Sequence, residues 1–222
     1  MPTTASAASR VARARAPDTC PADADPCQGD GDGDVVGDAC DPRPTTPGDR
    51  IAAFDAFVGT SLGAAWTQTA GGTVSGDHAV HASTTQIEIL SRTDIANDRL
   101  EVVVRERFDA TGSVGNIGVI ASMTDANDGV ACSPEHTGTP ALRLANIVNN
   151  SIASTLDSAS ITDPLGRNLV LALTADAGAF TCRLVGEATA AGNGSTVSGG
   201  VGIRGALGAG TVESLVAYPL GR

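Results

Sequence analysis

The residues best placed to do chemistry lie in one acidic run, DGDGDVVGDACD, at positions 30–41. Carboxylates occupy the first, third, fifth, ninth and twelfth places of this twelve-residue run, as Asp30, Asp32, Asp34, Asp38 and Asp41. At this spacing a short loop wraps oxygen atoms around a calcium ion, and the seventh place, Val36, offers its backbone carbonyl. The run is therefore predicted to bind Ca²⁺ through these six residues. An unstructured acidic spacer is the alternative.

One position departs from the pattern of a calcium loop. The sixth place normally holds glycine, which allows a sharp turn, but here it holds Val35. A β-branched side chain resists positive φ. Gly31, Gly33 and Gly37 loosen the backbone nearby, and we expect a weak or distorted site.

The segment around the run has a distinctive order of residues. Residues 18–41 read DTCPADADPCQGDGDGDVVGDACD. This resembles a thrombospondin type 3 repeat, whose pattern is D-N-C-P, a spacer, N-P-D-Q and D-x-D-x-D-G-x-G-D-x-C-D. The departures are Thr19, Asp25, Cys27 and Val35. The resemblance implies an extracellular, disulfide-linked segment organised by calcium. The residues agree, because 17–41 holds eight Asp and no basic residue and cannot bury enough apolar surface to order itself.

The composition of the 222-residue chain limits its partners. The net charge is −11, and all 14 basic residues are Arg. Nucleic-acid binding requires a concentrated basic stripe, whereas Arg10, Arg13 and Arg15 form only a small cluster in a tail predicted to be disordered over 1–16. No run reaches the length of a transmembrane helix. Nucleic acid is therefore not expected as a partner, and no transmembrane segment is expected.

The compartment is inferred from calcium and cysteine. Calcium loops of this type and disulfides belong outside the cytosol, so an extracellular or cell-surface location is expected. The N-terminus lacks the apolar core of a signal peptide. The sequence is therefore interpreted as a fragment or as having a misassigned start.

The five cysteines divide into two groups. Cys132 and Cys182 each lie beside strand-like sequence and are predicted to bridge the two sheets of a sandwich; two buried small hydrophobic residues are the alternative. Cys20, Cys27 and Cys40 share the acidic segment and allow three single-bridge connectivities, which sequence cannot decide. In the resembled family cysteines often pair between successive repeats, so a single repeat would leave Cys20 without its upstream partner.

The rest of the chain is predicted to be one β-sandwich. A Pro-rich linker at 42–50 is expected to form a stiff, extended spacer, and residues 51–222 follow it. They contain short alternating runs broken by Gly, Asn and Asp. In the run 99–108, Leu100, Val102 and Val104 face one way and Glu101 the other, which is the pattern of a half-buried strand. Further strands are expected at 116–123, 141–148, 168–174, 180–185, 200–204 and 211–218.

The order of these elements resembles a concanavalin A-like jelly roll of the kind related to laminin G domains. The domain opens with Phe54-Asp55 and LGAAW at 62–66, has a strand near 76–82, and closes on VGIR at 201–204 and a last strand at 211–218. The resemblance spans nearly all of 51–222. It implies an antiparallel all-β jelly roll, preceded by a calcium repeat with almost no core.

A catalytic pair is not expected. Some jelly-roll relatives are glycosidases with two carboxylates on one face of one strand. Here the nearest pair is Glu101 and Glu106, whose odd separation places them on opposite faces as solvent-facing charges. Arg105 and Arg107 are expected to hold the pKa of Glu106 low. No G-x-S-x-G motif occurs, and we expect no enzyme activity.

The sequence gives less support to other candidate metal-binding or sugar-binding residues. His78 and His81 are expected to face opposite ways and His136 to lie in a loop, so a zinc site is not expected. The single Trp66 is expected in the core, and the single Tyr218 lies in the closing strand. Asp125, Asn127 and Asp128 could form a second calcium site, but ordinary turn chemistry explains them better.

Two functions are favoured from sequence, and a pure spacer with no ligand is a third possibility. The first is a secreted or cell-surface calcium-binding module whose jelly-roll head binds a glycan or a surface protein, in adhesion or structure. The alternative is a non-catalytic accessory domain of a secreted polysaccharide-acting enzyme.

Overall fold

The computed structural model describes residues 18–83, 87–125, 127–194 and 199–221. This part of the chain contains thirteen strands and no helix. It has no helix that could span a membrane. The strands are β1 (Ala53–Asp55), β2 (Thr67–Ala70), β3 (Thr73–Val74), β4 (Ala79–His81), β5 (Ile87–Asn97), β6 (Arg99–Met123), β7 (Gly129–His136), β8 (Ala141–Val148), β9 (Ser151–Ser160), β10 (Asn168–Asp176), β11 (Ala179–Leu184), β12 (Ala188–Asn193) and β13 (Gly199–Pro219).

Two long antiparallel strands, β6 and β13, run through both layers of a sandwich. The first half of β6 and the second half of β13 belong to a sheet in the order β12-β11-β10-β6-β13-β4-β3. The second half of β6 and the first half of β13 belong to a sheet with β2, β5, β7, β8 and β9. We call these the first and the second sheet. This confirms the predicted all-β antiparallel sandwich.

The main core lies between the two sheets. Leu100, Val102 and Val104 of β6 are fully buried in it, as the alternation predicts. The disulfide Cys132–Cys182 joins β7 of the second sheet to β11 of the first, which confirms the predicted bridge between sheets.

The boundaries of the strands differ from the sequence prediction. The runs 99–108 and 116–123 are one strand, as are 200–204 and 211–218. Register shifts between Ala206 and Gly208 and between Ala209 and Gly210 bend β13 without a turn. At Gly208 a Cβ atom would lie 2.4 Å from the Phe108 ring, so this position needs glycine.

The acidic segment packs on the outer face of the first sheet. Val36, which is 1% exposed, contacts Val216 and Tyr218 there. Arg105 of β6 donates to the Ala22 carbonyl at 3.1 Å and forms an ion pair with Asp23. The acidic segment is therefore a third layer over this sheet.

The extended spacer predicted at 42–50 is wrong. Thr46 N donates to the Arg43 carbonyl at 2.8 Å in a turn, and Asp34 Oδ2 accepts hydrogen bonds from Gly48 N and Asp49 N. The linker folds back because the acidic loop supplies acceptors for its backbone. The division into a repeat, a linker and a sandwich stays a prediction.

Candidate functional site

Three of the predicted calcium ligands come together in the acidic loop. Carboxylate oxygens of Asp30, Asp32 and Asp34 all lie within 4.8 Å of one another. Asp38 and Asp41 lie outside this cluster of three. Within the described residues it is the one group of three or more His, Cys, Asp or Glu side chains close enough to share a metal ion.

Hydrogen bonds from backbone N–H groups hold the loop around these carboxylates. Asp30 Oδ1 accepts from Gly33 N at 2.8 Å, and Asp30 Oδ2 accepts from Val35 N at 3.0 Å. Asp34 Oδ1 accepts from the N–H of Val36 at 3.0 Å. Asp38 Oδ1 accepts from Gly31 N at 2.8 Å and ties the end of the loop to its start. The wrapped shape follows from Asp side chains satisfying nearby donors.

The sixth place of the loop takes the conformation that glycine would have. Val35 has φ of 80°, although a β-branched residue is strained there, and its side chain is 66% exposed. Such strain costs on the order of 1–3 kcal/mol. The sharp turn is thus kept despite the missing glycine.

The chemistry of the cluster suits a cation. Both carboxylate oxygens of Asp32 are enclosed and accept no hydrogen bond from the described residues, and the same holds for Asp41 Oδ2. Desolvation and then the charge of Asp34 raise the pKa of Asp32. Desolvation also raises the pKa of Asp41 to about 6. Enclosed carboxylate oxygens that repel one another and accept no hydrogen bond are free to bind a cation. Oxygen atoms are the ligands that Ca²⁺ prefers.

A disulfide and an ion pair close the segment. Cys20 bonds to Cys40, which selects one of the three connectivities left open. The expectation that Cys20 lacks a partner is wrong, because the acidic segment folds back on itself and brings Cys40 to Cys20. The exposed Cys27 is the free thiol. Sequence reasoning missed the buried Asp49. Desolvation opposes its charge, but its ion pair with Arg43 prevails and lowers the pKa of Asp49.

A second candidate site is a cavity of about 400 Å³ on the outer face of the second sheet. Polar side chains from four adjacent strands, in the order β13-β6-β7-β8, form its floor: Arg204 of β13, Asn116 of β6, Glu135 of β7 and Arg143 of β8. Its walls include three aliphatic side chains, Ile87, Ile152 and Leu207. This size falls within the range of ligand pockets, about 300–1,000 Å³. We call this site the second-sheet cavity.

The floor of the second-sheet cavity is a charged network. Glu135 Oε2 lies 2.6 Å from a terminal nitrogen of Arg143. Asn116 Nδ2 donates to Glu135 Oε1 at 3.4 Å, and Arg204 donates to Asn116 Oδ1 at 3.5 Å. Desolvation raises the pKa of Glu135 and lowers the pKa of Arg204 to about 10. Sequence reasoning missed all four residues, because only the pairing of distant strands brings them together.

The two carboxylates considered for catalysis are not surface charges. Glu101 and Glu106 do lie on opposite faces, but both are buried. Glu101 forms an ion pair with Arg183 and accepts a hydrogen bond from Thr174. Glu106 lies two positions after Val104 on the same strand and therefore faces the core with it. Burial raises the pKa of Glu106 well above the ordinary value.

The expected low pKa of Glu106 is therefore wrong. Arg105 and Arg107 flank it in sequence, but their side chains pair with Asp23 and Asp109. Successive residues of a strand face opposite ways, so the two guanidiniums do not neutralise the carboxyl between them.

The remaining sequence candidates have structural roles. Trp66 is 8% exposed and donates from Nε1 to Asp55 Oδ2 at 2.7 Å, as a core residue. Asp125 Oδ1 accepts from the N–H of Asn127 and of Asp128, which is the expected turn chemistry. His136 ends β7 rather than lying in a loop.

The histidines do not gather at one metal site. His81 is fully buried, with Nδ1 3.5 Å from Glu88 Oε2, whereas His136 pairs with Asp163. His78 Nδ1 lies 2.6 Å from the Gly76 carbonyl.

Comparison with known proteins shows the fold. No family model and no curated protein matches the sequence. Among solved structures, the carbohydrate-binding module CBM66 from Bacillus subtilis aligns with a TM-score of 0.60 at 12% identity, over 69% of this chain and 94% of that chain. The exoplasmic/lumenal domain of VIP36 in its Ca²⁺/Man-bound form aligns with a TM-score of 0.55 at 12% identity, over 78% of this chain and 89% of that chain.

A third similar structure is longer than this chain. The GH43 protein BlXynB from Bacillus licheniformis aligns with a TM-score of 0.59 at 12% identity, over 75% of this chain and 39% of that chain. This chain therefore spans about two fifths of BlXynB. At these identities the likeness shows a jelly-roll sandwich, as the sequence predicted.

Proposed function

We propose that this chain is a secreted or cell-surface calcium-binding module whose jelly-roll head binds a glycan. The observation that carries the proposal is the enclosed pair of Asp32 oxygens, which accept no hydrogen bond from the described residues, inside a cluster of three carboxylates. This cluster lies in a disulfide-closed segment packed on the head. Two disulfides fit an oxidising compartment.

Calcium is held in this proposal by the loop that resembles a thrombospondin type 3 repeat. Asp30, Asp32 and Asp34 form the cluster, and the Val36 carbonyl, Asp38 and Asp41 complete the set of ligands. The ion would neutralise carboxylates that otherwise repel one another. It would thereby stabilise the loop against the sheet that Val36 contacts.

Calorimetry on the oxidised full-length chain tests the calcium site. We expect one ion per chain, with a dissociation constant in the weak range of extracellular modules, roughly 10⁻⁴ to 10⁻³ M. Asp32→Asn should abolish the binding heat, and Asp125→Asn is the matched control that should retain it. The calcium part of the proposal would be contradicted if the parent protein gave no binding heat at about 10 mM calcium. It would also be contradicted if only Asp125→Asn lost the binding heat.

The glycan part is supported by the fold and by the second-sheet cavity. The carbohydrate-binding module CBM66 and the VIP36 exoplasmic/lumenal domain in its Ca²⁺/Man-bound form share this sandwich. The cavity combines a polar floor with aliphatic walls, and sugars offer both hydroxyl groups and apolar C–H faces. The proposal includes no catalysis, because neither Glu101 nor Glu106 faces this cavity.

Retention on a panel of insoluble polysaccharides, in excess calcium, tests the head. We expect retention on at least one polymer. Ser151→Trp places a bulky side chain at the mouth of the cavity and should abolish it. Thr189→Trp makes the same change at an exposed position of β12 and should not. Retention by no polymer, or equal retention by both variants, would refute a glycan site here.

The accessory-domain alternative keeps one specific observation in its favour. The similarity to BlXynB covers 39% of that longer chain, which is how a module joined to further domains would align. A glycan-binding head serves either role. Locating a catalytic domain next to this chain in the gene would favour the accessory role.

A further inference from the structure

Arg204 is a buried charge without an ion pair. It is 4% exposed, and none of the ion pairs formed by the described residues includes it. Its terminal nitrogens donate to neutral oxygens, Asn116 Oδ1 at 3.5 Å and the Asn150 carbonyl at 3.1 Å. Its Nε has no acceptor among the described residues. A guanidinium carries five N–H donors, so Arg204 has unused capacity.

The second-sheet cavity is locally positive in an acidic protein. Its described lining holds two guanidiniums, Arg143 and Arg204, and one carboxylate, Glu135. Glu135 is matched by Arg143 at 2.6 Å, which leaves one positive charge over. The chain as a whole carries −11. A positive floor is therefore a local feature of this cavity and not a property of the surface.

The burial of this charge calls for an anion. The nearby Glu135 acts on Arg204 through its charge, but it pairs directly with Arg143. A buried charge without a direct ion pair is costly, and the cost falls when an oppositely charged group enters with good geometry. Arginine suits a carboxylate best, because its planar fork can form two parallel hydrogen bonds. Arg143 Nε, also without an acceptor among the described residues, adds a second donor nearby.

We infer that the second-sheet cavity takes the carboxylate of an acidic sugar, a hexuronate, with Arg204 as its principal partner. This inference rests on the proposed glycan-binding function. The ring would contact the aliphatic wall, where Ile152 and Leu207 are 41% and 36% exposed. A cavity of about 400 Å³ suits the end of a saccharide chain. The charge selects uronates over neutral hexoses of the same shape.

Ligand-observed NMR on the full-length chain, in calcium and at constant ionic strength, tests the inference. The probes are D-glucuronate and D-galacturonate, with glucose, galactose and acetate as controls. We expect saturation transfer to at least one uronate, and at least about tenfold weaker binding of the neutral sugars and of acetate, as the loss of a charge-assisted hydrogen bond implies. Equal binding of neutral sugars, or of acetate, overturns the inference.

Variants locate the contact. Arg204→Gln should weaken uronate binding about tenfold or more, and Arg143→Gln should weaken it in the same direction. The thermal transition of Arg204→Gln shows whether that variant folds. If it does not fold, Arg143→Gln provides the test, because Arg143 is partly exposed. Arg167→Gln removes the same charge at a surface ion pair with Glu187 and should bind normally. Unchanged binding in the folded cavity variants overturns the inference.

The outcome separates this inference from the proposed function. Failure of both uronates to bind overturns the inference alone if the chain is still retained on a neutral polysaccharide. Failure to bind uronates together with retention on no polymer overturns both.

Discussion

Replacing Glu106 by leucine should stabilise the protein at neutral and alkaline pH. Glu106 is 3% exposed, and neither of its carboxyl oxygens has a hydrogen-bond partner among the described residues. Its cross-strand neighbours are Leu169 of β10 and Val212 of β13, both buried in the main core. A polar group buried without a partner costs about 1–3 kcal/mol, and Glu106→Leu removes that cost.

The effect should depend on pH with a defined sign. Burial raises the folded-state pKa of Glu106 well above the ordinary value of 4.5. The folded state therefore binds a proton that the unfolded state has lost. This contribution to stability is fully present below about pH 4.5 and is lost as the pH rises through the folded-state pKa. Glu106→Gln cannot ionise and should flatten this part of the pH dependence.

Urea unfolding and calorimetry at pH 5 and pH 8, with the disulfides intact, measure the effect. At pH 8 we expect Glu106→Leu to raise the free energy of unfolding by about 1–3 kcal/mol, or Tm by about 3–10 °C for a chain of this size. Glu101→Leu is the matched control on the same strand. It should destabilise, because it leaves Arg183 without its ion-pair partner. If Glu106→Leu is equally or less stable than the parent protein at pH 8, the buried carboxyl does not carry this cost.

Three further predictions follow from the layers of the molecule. Tyr218 is the single tyrosine, and burial, followed by the charges of nearby carboxylates, raises its pKa. In EDTA the acidic layer should loosen, so the absorbance of Tyr218 should show it ionising at a lower pH than in calcium. Identical titrations in EDTA and in calcium would contradict this. Replacing Cys132 and Cys182 together by serine should cost about 4 kcal/mol in urea unfolding, from the entropy of a loop of 50 residues; a loss below about 1 kcal/mol would be against it. The chain should hydrolyse no β-glucan, and turnover that disappears in Glu101→Gln would show that the proposal of no catalysis is wrong.

Local patterns predicted the parts of the fold that depend on local physics. The alternation from Leu100 to Val104 identified an inward face, and the strand context of Cys132 and Cys182 predicted the bridge between sheets. The spacing of Asp30, Asp32 and Asp34 predicted carboxylates that the structure brings within 4.8 Å. For the inward face and the carboxylate cluster, residues within a few positions of one another carry the information; for the bridge, each cysteine was placed by the strand pattern around it, although the two are 50 positions apart.

Other features depend on contacts between distant parts of the chain. Whether Glu106 faces solvent or core depends on the layer that packs over its strand. The arginines that flank it in sequence suggested a solvent-facing carboxylate instead. The ion pair of Asp23 with Arg105 joins residues 82 positions apart, so nothing local showed that the acidic segment packs on the sandwich. Predicting the floor of the second-sheet cavity requires the register of four strands. One local signal was present, because Arg204 lies between the small residues Gly202 and Ala206 on the same face of β13.

Calcium in the acidic loop is the basis of the proposed function. A crystal structure of the oxidised full-length chain grown in calcium chloride, with anomalous data, tests it most directly. We expect one anomalous peak among the carboxylates of Asp30, Asp32 and Asp34, and no such peak in crystals of Asp32→Asn. A loop without a peak at about 10 mM calcium, or a peak at Asp125 instead, would contradict it.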